Sequence, residues 1–186
     1  MSTLRRRMLV VMALLAVSAM VVAGNNLPQA TRSDSRELIQ LTGQVSVNGT
    51  AAISGATVFS DSTMTTAARS SAVVSLGKLG RVEVFPDSTM KLNFDDRSVS
   101  VSMLDAGRVR VSSSSNVNAG VTTKDGQVVS TGKQRNEFIV DTRCGNTFVA
   151  VKKGTVELRA GSSVKQIAAG SQDTAGQARP GCTPAG

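Results

Sequence analysis

Hydrophobic and polar residues alternate with a period of two along most of this chain. The clearest case runs from Gly80 to Val111. Val82, Val84, Met90, Leu92 and Phe94 fall on even positions, and Arg81, Glu83, Asp87, Lys91 and Asn93 on odd ones. Such alternation predicts strands with one dry and one wet face. Phe85 breaks the phase beside Pro86, where a bend is expected, and Asp95-Asp96 interrupts before Val99, Val101 and Met103 resume it. The same texture extends in both directions. Gly43–Val47 starts it, Asn48-Gly49 is a strong tight-turn dipeptide, and Lys124-Asp125-Gly126 predicts a hairpin. A second hairpin is expected around Lys152-Lys153-Gly154, and Val164–Ala168 reads as a last strand. Ser112–Ala119 reads as a serine-rich loop between two halves of the pattern. Beyond the N-terminal segment no stretch shows a helical period. Many short strands at close spacing predict an all-β domain of short antiparallel strands, arranged as a sandwich, a jelly-roll-like fold or stacked strands.

Two internal echoes accompany the alternation. Phe59-Ser60-Asp61-Ser62-Thr63-Met64 returns as Phe85-Pro86-Asp87-Ser88-Thr89-Met90, 26 residues later. A glycine-led strand start recurs at Gly43, Gly80, Gly107, Gly126 and Gly154, each with Val two residues on, at spacings of 37, 27, 19 and 28 residues. Those unequal spacings argue against a strict solenoid repeat.

The N-terminus follows a different pattern. Arg5-Arg6-Arg7 precedes sixteen uncharged residues, Met8–Ala23. This is the layout of a secretory signal peptide, cleaved after Ala23, with an uncleaved membrane anchor as the alternative. Either way the remainder is expected outside the cytoplasm, in a bacterial periplasm or cell envelope. The expected organisation is therefore a hydrophobic signal helix or anchor over 1–23, a polar linker over 24–42, a single β domain over 43–170 and a flexible tail over 171–186.

Charge and composition narrow the function classes. The formal net charge is +8, and it is uneven: residues 24–105 hold seven basic and eight acidic side chains, residues 106–186 eleven and five. Arg108, Arg110, Lys133, Arg135, Arg143, Lys152 and Lys153 are the candidate patch for an anionic ligand, a weak polyanion contact at most. Ordinary solubilising charge explains the same residues. Histidine, Trp and Tyr are all absent. The first absence removes the commonest general base and metal ligand. The others remove the aromatic platforms that single-stranded nucleic acid uses, so no nucleic-acid partner is expected. No metal, cofactor or catalytic set is expected. Asp95-Asp96 reads as a turn, because neighbouring strand residues point to opposite faces. Ser75–Lys78 and Ser162–Lys165 have a Ser-x-x-Lys spacing but lack the helix that would bring Lys to Ser. Cys144 and Cys182 are the only cysteines. In an exported chain they invite a disulfide, with two free or intermolecular thiols as the alternative.

Some segments resemble the FecR domain family. They are Thr66–Gly77, Gly80–Val84, Pro86–Leu92, Leu104–Val111 and the Val149–Leu158 segment, and the likeness spans about residues 43–170. FecR-like proteins of iron uptake sit in the inner membrane and relay receptor occupancy to a cytoplasmic sigma factor. Here only seven residues precede the apolar segment, and Gly132 and Phe138 stand apart where the family has a Gly-Thr-x-Phe step. The resemblance thus implies a non-enzymatic, exported envelope domain that binds a protein or polymer. The alternative is a membrane-anchored sensor component, in contact with the membrane only through residues 1–23.

Overall fold

Strand alternation puts every second side chain indoors. In the strand Ser88–Phe94, Ser88, Met90, Leu92 and Phe94 are buried while Thr89, Lys91 and Asn93 are half-exposed. The computed structural model describes residues 35–130 and 132–184 of the chain. The expected signal helix or anchor over 1–23 and its cleavage after Ala23 lie outside the described residues.

Among those residues the chain forms seventeen strands. In order they are β1 (Ser35–Thr42), β2 (Val45–Val47), β3 (Thr50–Ala51), β4 (Thr57–Phe59), β5 (Ser62–Thr66), β6 (Ser71–Ser75), β7 (Gly80–Val84), β8 (Ser88–Phe94) and β9 (Ser98–Met103). Then come β10 (Arg108–Ser113), β11 (Asn118–Thr122), β12 (Gln127–Ser130), β13 (Asn136–Asp141), β14 (Thr147–Lys153), β15 (Thr155–Ala160), β16 (Ser163–Ala168) and β17 (Gln172–Ala175). A single 3-10 turn, Gly77–Leu79, joins β6 to β7.

The strands build two sheets. The first has the order β17-β14-β13-β10-β7-β6-β1-β4, the second β16-β15-β12-β11-β9-β8-β5-β2-β3. Their apolar faces meet in one core that contains Met64, Val74, Val82, Met90, Leu92, Val109, Val121, Phe138, Val149 and Leu158. The all-β expectation holds. The antiparallel expectation needs one correction, since β9 and β11 pair in parallel. The cause is topological: β10, which lies between them in sequence, belongs to the other sheet.

The chain repeatedly switches sheets, and the six-residue echo marks one kind of switch. β4 ends at Phe59 in the first sheet and β5 starts at Ser62 in the second; β7 ends at Val84 and β8 starts at Ser88 in the same way. Both turns place an Asp in the left-handed region, Asp61 at φ 74° and Asp87 at φ 54°. Asp visits this region more readily than bulkier residues, because its short polar chain bonds locally. The two copies then lie side by side, with Met64 directly opposite Met90. The bend expected at Pro86 is therefore a passage between sheets. Thr66 fastens it: its hydroxyl donates to the Phe85 carbonyl at 2.6 Å and accepts from the Ser88 amide at 3.2 Å.

Other expectations shift for similar reasons. Asn48 and Gly49, at φ 51° and 79°, turn β2 into β3, and β11 and β12 pair across the Lys124–Gly126 turn, as the turn residues predict. The Lys152–Gly154 turn does not make a hairpin, because β14 and β15 lie in different sheets. The serine-rich loop is shorter than 112–119, since β10 continues to Ser113 and β11 begins at Asn118. The linker expected over 24–42 contributes β1, which pairs with β4 and β6. The tail expected to be loose over 171–186 contributes β17, which pairs with β14.

Candidate functional site

The seven cations of the candidate patch separate into two groups and two outliers. Arg108 and Arg110 project from β10 on the face of the first sheet that points away from the core. Alternation within β10 dictates this, since Val109 and Val111 point inward. Both guanidinium groups stack on Phe85, at 4.8 and 5.3 Å from its ring centroid. Phe85 is free to receive them because it sits beyond the end of β7, out of phase with the core. Arg110 also pairs with Glu83 of β7 at 2.6 Å. The register makes this contact, as Arg110 and Glu83 are direct cross-strand partners.

Arg143 joins this group from the turn after β13. Its guanidinium reaches Asp141 at 2.6 Å, and its amide donates to the same carboxylate at 3.0 Å. Asp141 is almost completely buried. Burying a carboxylate is costly unless it is paired and hydrogen-bonded, and Arg143 supplies both contacts. That bond holds the Arg143 guanidinium above its ordinary range, while burial, opposed by Asp141, pushes Arg108 down. Carboxylates thus answer much of the charge in this group. It braces the outer face of the sheet.

The second group forms at the other end of the same strands. Asn136 is buried and organises it. Its amide donates to the Gln134 carbonyl at 2.7 Å, and its side-chain oxygen accepts from the Thr155 amide at 3.1 Å. The turn before β13 and the turn before β15 are thereby clamped together. Gly154 completes the clamp: a Cβ there would lie 2.7 Å from the Arg135 carbonyl oxygen. Arg135 and Lys153 consequently border one cleft of about 320 Å³, together with Arg81, Ser112 and Glu137. Arg81 is absent from the candidate patch read off the sequence. A signal for it exists there: it occupies a wet position directly after Gly80, as Arg108 does after Gly107. Of the remaining two cations, Lys133 is exposed in the turn after Gly132, and Lys152 is exposed at an irregularity in the pairing of β13 with β14.

Cys144 and Cys182 are bonded, with their Cα atoms 5.5 Å apart. The bridge ties the segment after β17 to the β13–β14 turn. Arg179 reinforces it, its amide donating to the Cys144 carbonyl at 2.8 Å and its guanidinium to the Arg143 carbonyl. A larger cleft of about 580 Å³ lies beside this segment, bordered by Leu104, Asp105, Lys124, Thr142 and Arg179. The Thr142 hydroxyl there is engaged with the backbone of Gly107, accepting from its amide at 3.0 Å. Asp95, half of the Asp95-Asp96 pair, is a turn residue. One of its oxygens accepts from the amides of Arg97 and Ser98, both at 2.8 Å.

Among the described residues the sheets also have open edges. β16 is the last strand of the second sheet, pairs on one side with β15, and has five of its six residues exposed. Val164 on this strand is 61% exposed. Comparison with protein-family models and with curated proteins finds no match to this chain.

Proposed function

We propose that this chain is a non-enzymatic, exported β domain of the FecR kind, which binds a protein of the cell envelope by accepting an extended segment of it along β16. One observation carries the reading: β16 is a six-residue edge strand that is exposed along most of its length and holds a large apolar side chain, Val164, in solvent. An unpaired strand edge offers a row of backbone donors and acceptors, and exposed side chains beside it supply selectivity. The disulfide between Cys144 and Cys182 favours an oxidising compartment, consistent with export. The two sheets, filled in sequence order by strands that switch between them, fit the stacked-strand form of the expected fold better than the jelly-roll form.

A photo-crosslinking side chain introduced at Val164 tests the reading in cells. Capture of a defined envelope protein at this position, and not at Asn93 on the outer face of β8, supports it. No adduct at Val164, or the same adducts at both positions, defeats it. The second reading, a membrane-anchored sensor component, rests on the Arg5–Arg7 cluster and the apolar Met8–Ala23 segment. Retention of residues 1–23 in the mature protein selects that version, and their loss selects the released domain.

A further inference from the structure

The cleft over Ser112 has a different chemistry from the β16 edge. Ser75, Arg81, Ser112, Glu137 and Lys153 form one cross-strand row, each opposite the next in register across β6, β7, β10, β13 and β14. Adjacent strands are about 4.8 Å apart, so long side chains of this row reach a common point above Ser112. Arg135 arrives from the clamped turn at the end of the row. Arg81 and Arg135 make no ion pair among the described residues, and both are exposed. Lys153 lies 3.8 Å from Glu137, the single carboxylate of the cleft. Three cations against one carboxylate leave an excess of two positive charges. Ser112, on this outer face of β10, has a hydroxyl oxygen that is buried without a hydrogen-bond partner. Leaving such a group unmet is costly, which makes its satisfaction by a ligand favourable.

We infer that this cleft binds a phosphomonoester, with the Arg81 and Arg135 guanidinium groups and the Lys153 ammonium on the phosphate oxygens and the Ser112 hydroxyl donating from below. The donors come from separate strands and turns and so from several directions. A tetrahedral phosphate dianion has acceptors in all those directions, whereas a carboxylate presents two oxygens in one plane. The cleft, at about 320 Å³, exceeds the phosphate group itself and leaves room for the carbon skeleton that bears it.

Titration calorimetry of the full chain with inorganic phosphate, glycerol 3-phosphate and acetate at low salt tests the site. Saturable binding of the two phosphates is expected, with acetate much weaker. Arg81→Gln and Arg135→Gln should each weaken glycerol 3-phosphate by about tenfold, the scale of one charge-assisted hydrogen bond. Ser112→Ala should weaken it several-fold, and Arg159→Gln, on the other sheet, should leave it unchanged. Co-sedimentation with neutral vesicles doped with phosphatidic acid separates the two sources of such a group. Pelleting that Arg81→Gln abolishes supports a lipid headgroup, and soluble binding without pelleting supports a free phosphomonoester. Acetate binding as tightly as glycerol 3-phosphate, or wild-type affinity in Arg81→Gln and Arg135→Gln, overturns the assignment.

Discussion

Reduction of the Cys144–Cys182 bridge is the most informative single perturbation of this fold. The two cysteines are 38 residues apart, and the closed loop contains β14, β15, β16 and β17. Chain entropy assigns a loop of that length about 4 kcal/mol of stabilisation, through restriction of the unfolded chain. For a domain of this size each kcal/mol moves the melting temperature by about 2–4 °C, so the loss should lower it by about 8–16 °C. The structure also says where the loss is felt first. The bridge holds the segment after β17, and β17 itself is a four-residue edge strand attached to the sheet only through β14. Reduction should therefore release the amides of β17 to hydrogen exchange before those of β13, which is flanked by β10 and β14.

Thermal melts followed by circular dichroism, with and without reductant, measure the first quantity, and exchange mass spectrometry measures the second. Alkylation of both thiols afterwards confirms that the bridge was open. A melting temperature that moves by less than about 2 °C with both thiols alkylated would refute the reasoning, since that shift corresponds to about 1 kcal/mol or less. So would equal exchange at β17 in the oxidised and reduced forms.

Three further outcomes follow from the core and the turns. Phe138 is fully buried between the sheets, so Phe138→Ala should cost about 3–5 kcal/mol in urea unfolding, and a cost under about 1 kcal/mol would contradict its place in the core. Asp87 occupies the left-handed region at φ 54°, so Asp87→Val should destabilise by about 1–2 kcal/mol while Asp87→Gly stays close to wild type in the same assay. The bond from the Ser98 hydroxyl, aided by the Arg97 and Ser98 amides, holds the Asp95 carboxyl below its ordinary value of 3.8. Its contribution is thus fully present above that value and disappears as pH falls through the lowered one. The stability gap between wild type and Asp95→Ala should be constant at neutral pH and should close under acid; a gap that widens in acid melts would reverse the sign of the argument.

Alternation alone makes the faces of the strands legible. Val82, Val84, Met90, Leu92 and Phe94 are all in the core, and Arg81, Glu83 and Lys91 are not. Turn residues are equally informative about where the chain bends. They carry no information on which sheet receives the next strand. Lys124-Asp125-Gly126 and Lys152-Lys153-Gly154 look alike as sequences, yet the first closes a hairpin and the second carries the chain from one sheet to the other. The difference is decided by neighbours distant in sequence, such as Asn136, whose side chain holds the Thr155 amide. The basic patch is legible only in part, for the same reason. Charge counts single out Arg135 and Lys153, but only the pairing of β7 with β10 and of β10 with β13 brings Arg81 and Ser112 beside them. The tail reads as loose because Gly, Gln and Pro suggest disorder locally, while a disulfide and one strand's pairing with β14 fix it from outside.

The order of strands explains why one edge is left accessible. After the first pair in each sheet the strand numbers rise steadily, from β1 to β17 in the first and from β2 to β16 in the second. The chain therefore lays down both sheets in one direction, and among the described residues each sheet finishes with two unpaired edges. Short edge strands are one way a protein avoids unwanted pairing. Three of the four edges here use it: β3 has two residues, β4 three and β17 four. β16 has six, and its one lysine, a residue type that would discourage pairing, is drawn toward β17 by a 2.9 Å bond from Lys165 to Asp173. With that charge engaged, Val164 remains exposed beside a backbone edge that no described strand pairs. Among the described residues the other three edge strands are short and this one is not, and that contrast is what the proposed docking of a partner segment along β16 rests on.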